Sequence, residues 1–139
     1  MKQNKIYDIL KMMIQFKKNN EIDKNIIKLL LTVTYIREYC VLALKMQRKC
    51  GLTTNCIKVC KEEFDSTLFV CWNRKVEKIY NIKNKSPKIK FTNKDVLFYD
   101  ENQYDCIVID NASYTNKTFM DELYHSDILT TKTTLILLG

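Results

Sequence analysis

The sequence predicts a three-layer α/β domain, a mostly parallel five-stranded sheet between helices, preceded by two amino-terminal helices. Three observations carry this. Short, continuously apolar runs alternate with segments of helical spacing, which is the pattern of parallel strands buried on both faces. Only two glycines and one proline interrupt 139 residues, so long regular elements dominate and the loops are built from Asn, Asp, Ser and Lys. A chain of this length forms one domain that removes roughly two thirds of its unfolded surface from water. The expected division is a helical extension over 1–38 and a sheet core over 39–139.

The elements follow in order. Ile6, Ile9, Leu10, Met13, Ile14 and Phe16 recur near helical spacing. Ile22, Ile26, Ile27, Leu30, Leu31, Val33 and Ile36 do the same, giving two helices joined around Asn19 to Glu21. Cys40 to Leu44 then reads as a strand, Thr53 to Glu63 as a helix, Thr67 to Cys71 as a strand and Arg74 to Tyr80 as a short helix. Pro87 lies in a basic loop, with Val96 to Tyr99 as the next strand. Asp105 to Asp110 is a strand, Asn116 to Tyr124 a helix and Thr133 to Leu138 the last strand.

Composition narrows the function classes. No apolar run approaches the ~20 residues of a membrane span, and the amino terminus carries charge within its apolar region and no small-residue cleavage site. The reading is an intracellular protein, in host cytoplasm or nucleus or associated with a virion, without a membrane partner. Of six cysteines, Cys40, Cys71 and Cys106 sit in apolar runs as small hydrophobes. Cys50, Cys56 and Cys60 match no usual zinc spacing, and the one histidine, His125, is remote, so no zinc and no disulfide framework are expected. His125 also has no placed nucleophile, which argues against a catalytic triad.

Charge is unevenly placed. Arg74 to Lys94 holds eight basic residues against Glu77, whereas the chain from Asp95 onward holds eight acids against two bases. Arg74, Lys75, Lys83, Lys85, Lys88 and Lys90 are therefore candidates for contacting nucleic-acid phosphates. The other reading of the same stretch is a solvated Lys/Asn-rich loop. Among nearby aromatics, Phe91 and Phe98 fit core positions, leaving Trp72 and Tyr80 as candidates for stacking on bases.

Two segments carry candidate nucleotide chemistry. A phosphate-binding loop has the pattern G-x-x-x-x-G-K-[ST], in which backbone N–H groups and a helix amino terminus hold phosphates, lysine reaches the terminal phosphates and the hydroxyl binds Mg²⁺. In KMQRKCGLTT the last three positions are Gly51, Leu52 and Thr53, with Met46 at the first glycine position and Lys45, Arg48 and Lys49 crowding the loop. The run Ile107, Val108, Ile109, Asp110 ends a strand in a carboxylate suited to Mg²⁺, or alternatively to a turn or helix cap. The neighbouring position, where a catalytic glutamate would stand, is Asn111. An amide orients water but accepts no proton as a carboxylate does.

Taken together, the loop KMQRKCGLTT between a strand and a helix, followed by DSTLFVCWNR, YDCIVIDNASY and TKTTLILLG, resembles the ATPase half of the viral terminase large subunits, the DNA-packaging motors, over about 40–139. Related helicase-type ATPases share the layout. The resemblance implies a sheet of P-loop ATPase type, ATP and Mg as cofactors, and a nucleic acid or a homologous ATPase subunit as partner. By position, Gly51, Thr53 and Thr54 would hold phosphate, Lys49 or Arg48 would serve as loop cation, and Asp110 with Thr53 would hold the metal. Leu52 and Asn111 depart from the family at the two positions most needed for hydrolysis. The family's coupling Ser or Thr past the last strand and its nuclease cluster have no counterpart before Gly139, so an intact motor is not expected. Three readings follow: a degenerate, weakly active or inactive ATPase-like viral domain; an ATPase using Lys49 or Arg48; and a small α/β structural or interaction protein in which Met46 to Thr53 is filled by side chains.

Overall fold

The computed structural model describes residues 2–19, 32–45 and 51–139. Five parallel strands form one sheet: β1 (Val41–Leu44), β2 (Thr67–Cys71), β3 (Ile89–Asn93), β4 (Cys106–Ile109) and β5 (Thr134–Leu138). Their spatial order is β1-β5-β4-β2-β3, so β1 and β3 are the edges and β4 is central. The helices are α1 (Lys2–Asn19), α2 (Thr32–Tyr35, continuing as a π-helical turn over Ile36–Cys40), α3 (Leu52–Glu63), α4 (Arg74–Lys83) and α5 (Lys117–His125). The predicted α/β class, parallel sheet and helix positions hold. For the second predicted helix, 20–31 lie outside the described residues.

Alternation along each strand divides the interior into two cores, as a sheet covered on both faces requires. Phe69, Cys71, Cys106, Val108, Ile136 and Leu138 face one side, where α1 contributes Ile6, Leu10 and Ile14 and α3 contributes Leu52, Cys56, Ile57, Val59 and Cys60. Val76 and Tyr80 of α4 close the same side. Leu68, Val70, Ile107, Ile109 and Leu135 face the other, against Tyr35, Ile36, Leu97, Leu123, Ile128 and Leu129. The helix α1, expected as an extension, is thus part of a layer. Tyr7 and Lys18 fasten it to α3 through hydrogen bonds to Glu62 and Glu63.

One strand was placed wrongly by sequence reading. Val96 to Tyr99 is no strand; Leu97–Tyr99 is a 3-10 turn. The fifth strand is Ile89–Asn93, inside the segment expected as a basic loop. Its lysines masked a period of two: Ile89 and Phe91 are buried while Lys90 between them is exposed. Such a pattern suits an edge strand, where a lysine also discourages pairing with another chain. Phe91 joins the core as expected; Tyr80, expected as a stacking candidate, instead packs part-buried against that core, edge-on to Phe69 and Phe91, and is thereby withdrawn from the stacking candidates. Cys40, expected in a strand, is buried in the π-helical turn. The five described cysteines are all buried and free.

Two helices start on asparagine caps. Asn73 accepts from the Val76 N–H at 2.9 Å and Asn116 from the Phe119 N–H at 2.8 Å, each satisfying a donor that the first helical turn leaves unpaired. Replacing Asn73 by alanine is expected to cost about 1 kcal/mol, read as a lowered urea midpoint with an unchanged slope.

Candidate functional site

In a parallel sheet the residues that end the strands gather along one edge, and the helices that follow begin there, pointing their unpaired N–H groups toward it. Four consecutive pairings align the strand ends here: Leu44 with Leu138, Ile109 with Leu137, Val70 with Ile109, and Cys71 with Asn93. Asp110, one residue past β4, therefore stands between Leu138 and Cys71. By alternation it faces the side that carries α1, α3 and α4. The amino terminus of α3 arrives on this same side although β5 separates β1 from β4.

The consequence is a contact between the two motifs. The Thr53 hydroxyl donates to Asp110 Oδ1 at 3.3 Å. The Asn111 backbone N–H donates to the same oxygen at 3.0 Å. Among the described residues no donor reaches Oδ2, although Asp110 is only 8% exposed. That oxygen is not sealed from solvent: the fully buried side-chain oxygen left unpaired among the described residues is Thr67 Oγ1. Burial pushes the Asp110 carboxyl above its ordinary value of 3.8, against the opposing pull of the Asn111 N–H and the Thr53 hydroxyl.

The turn before Thr53 is also built. Gly51 has φ 84, a left-handed conformation that costs glycine nothing. Buried Asn55 donates from Nδ2 to the Gly51 carbonyl at 2.8 Å, beside the backbone N–H of Asn55 at 3.0 Å on the same oxygen. This clamp was not foreseen from sequence, though its signal was present as an asparagine four residues after a glycine. Thr54 is exposed. Leu52, which stands where the phosphate-loop pattern has a lysine, is 8% exposed and belongs to the core beneath the sheet edge, where its side chain packs as a hydrophobe. Asn111 has φ 53 and opens a 3-10 turn over Ala112–Tyr114, a left-handed role for which asparagine is suited and glutamate is not. Arg48 and Lys49, the two candidate loop cations, lie with Met46 and Cys50 outside the described residues.

The six basic candidates do not form one patch. Arg74 and Lys75 are exposed at the start of α4, on the carboxyl edge near Asp110. Lys83 ends that helix, about 15 Å away along its ten residues, and exposed Lys85 and Lys88 follow it toward the opposite edge. Lys90 is paired with Asp100 at 3.1 Å, and Tyr104 donates to the same carboxylate oxygen at 2.7 Å.

Sequence reading missed two groupings at the carboxyl edge. Asn93, 3% exposed at the end of β3, donates to Glu77 of α4 at 3.1 Å and accepts from the Asp95 N–H at 3.0 Å. Lys94 Nζ lies 4.0 Å from the centroid of the Trp72 ring, and Tyr114 stands edge-on to that ring at 5.6 Å. Trp72, Lys94 and Tyr114 follow three different strands, so their meeting was not visible in any one segment.

What the fold and this edge define is an α/β protein with an all-parallel sheet, whose central strand delivers a buried aspartate to the hydroxyl at the start of a helix from another strand. Compared with protein-family models and with curated proteins, the chain matches none.

Proposed function

We propose that this chain is a degenerate P-loop ATPase-like domain that binds a magnesium nucleotide weakly, turns it over poorly or not at all, and acts by binding a nucleic acid or a related ATPase subunit, in the manner of a viral DNA-packaging component. The observation that carries the reading is the Thr53–Asp110 hydrogen bond, which joins two motifs 57 residues apart at one point of the sheet edge. The donor set suits magnesium: a hydroxyl and a carboxylate are hard oxygen ligands, and Asp110 retains an unpaired oxygen for the ion's hydration shell. The amino terminus of α3 and the left-handed Gly51 turn supply N–H groups for phosphate. When bound, the metal would neutralise phosphate charge. Two features account for poor turnover: Leu52 contributes packing where a cation is needed, and Asn111 contributes a turn where a general base is needed.

Titration calorimetry with ATP, with and without Mg²⁺, tests this. Binding that requires Mg²⁺ is expected, with turnover far below the 1–100 s⁻¹ of working phosphoryl-transfer enzymes such as kinases. Thr53→Ala is expected to weaken the Mg²⁺-dependent binding about tenfold, while Thr53→Ser, which keeps the hydroxyl, stays near wild type. Burial of Leu52 favours a second reading, an α/β interaction protein without nucleotide. The absence of Mg²⁺-dependent heat at millimolar ATP would select that reading and reject the first.

A further inference from the structure

We propose that the carboxyl edge carries a second site, on the sheet face opposite Thr53 and Asp110, that binds single-stranded nucleic acid by stacking a base on the Trp72–Tyr114 pair. The proposal gives the nucleic-acid half of the reading above a location and a ligand class, and it does not depend on the nucleotide half.

Side-chain parity separates the two sites. Cys71 and Asp110 face the α3 side, so Trp72, next along β2, emerges toward the α5 side. Lys94 does the same one residue past Asn93. Tyr114 reaches them from the 3-10 turn after Asn111. Trp72 is half-buried, which anchors it, and Tyr114 is 55% exposed.

The charges around the pair match a phosphate backbone. Lys94 lies over the Trp72 ring, exposed Lys117 opens α5 three residues after Tyr114, and exposed Arg74 and Lys75 begin α4 two residues after Trp72. Against these four cations stand exposed Asp95 and part-buried Glu77, which Asn93 holds, since Asp110 is buried on the other face. The amino terminus of nine-residue α5 points its N–H groups to the same edge. Aromatic rings interleaved with cations are what sequence-tolerant binding of unpaired strands requires, because every base offers a π face and every nucleotide a phosphate. A duplex keeps its bases stacked and offers the rings nothing.

Fluorescence anisotropy with labelled 12-nucleotide oligo(dT), oligo(U) and a duplex of equal length tests the site, alongside emission from Trp72, the only tryptophan in the chain. The expected result is single-strand binding that quenches Trp72, with the duplex weaker; the two single strands compared decide between DNA and RNA. Trp72→Leu is expected to weaken single-strand binding about tenfold and Tyr114→Leu several-fold, while the triple change of Lys83, Lys85 and Lys88 to glutamine has a smaller effect. Each variant is checked for an unchanged circular dichroism spectrum, and Trp72→Phe, which keeps a ring, is expected to retain most of the affinity. Wild-type affinity in both leucine variants overturns the proposal. So does duplex binding as tight as single-strand binding without quenching. Thr53→Ala leaves oligonucleotide binding unchanged, so failure of the nucleotide reading and failure of this one are separately visible.

Discussion

Asp110→Asn is expected to move binding and stability in opposite directions. Asparagine keeps an oxygen for the Thr53 hydroxyl and the Asn111 N–H but cannot carry the charge that attracts Mg²⁺. Mg²⁺-dependent ATP binding should fall by at least about tenfold, the scale of a lost charge-assisted contact. Stability should be unchanged or higher, because the variant removes a carboxylate that burial destabilises in its ionised form. The sign follows from proton linkage. With its carboxyl raised above 3.8, the folded chain holds this proton more tightly than the unfolded chain does. This contribution to stability is therefore present in full below the ordinary value and is lost as pH rises through the raised one. Thermal melts from pH 3 to pH 7 should show wild type losing, relative to Asp110→Asn, stability across that window. A variant that binds Mg·ATP like wild type would remove Asp110 from the metal reading.

The largest loss of stability is expected at Phe69. It is fully buried at the centre of β2, with Phe91 at 5.4 Å and Tyr80 at 6.1 Å between ring centroids. Phe69→Ala leaves a cavity bounded by β2, β3 and α4, and comparable truncations cost about 3–5 kcal/mol. Since small domains hold only about 5–15 kcal/mol in total, urea unfolding should show a midpoint near half the wild-type value or a chain already partly unfolded. A loss under about 1 kcal/mol would contradict the placement of β3 beside β2, because that pairing seats Phe91 against Phe69.

The parts of this fold that could be read in the sequence are those with one dominant signal. Cys106 to Ile109 and Thr134 to Leu138 lie inside the sheet, and their apolar runs have no other reading. The helix α3 was found within one residue of its start. Ile89–Asn93 was missed because an edge strand needs only one apolar face, and Lys88, Lys90 and Lys94 dominated its composition. The 3-10 turn at Leu97 was taken for a strand because a fully buried leucine flanked by Val96 and Phe98 looks alike in either structure. At the site, the expectation that Thr53 and Asp110 face one another is met by a contact of 3.3 Å between their side chains. The Trp72–Lys94–Tyr114 cluster was not legible, because strand order, which brings the ends of β2, β3 and β4 side by side, is absent from local pattern. The basic stretch misled in the opposite sense: contiguous in sequence, it is spread along the full length of α4.

The sheet order also governs when the protein can assemble. Strand β1 is an edge whose one partner among the described residues is β5, about ninety residues later. Strand β2 lies between β3 and β4, so these three can form a sheet as soon as β4 has emerged from the ribosome. Leu42 and Leu44 then have no ladder to join until Thr134 to Leu138 docks on β4 and offers its far edge. Closing so long a loop is slow, and an unpaired apolar strand is exposed meanwhile. The final strand is thus the one that joins β1 to the rest of the sheet.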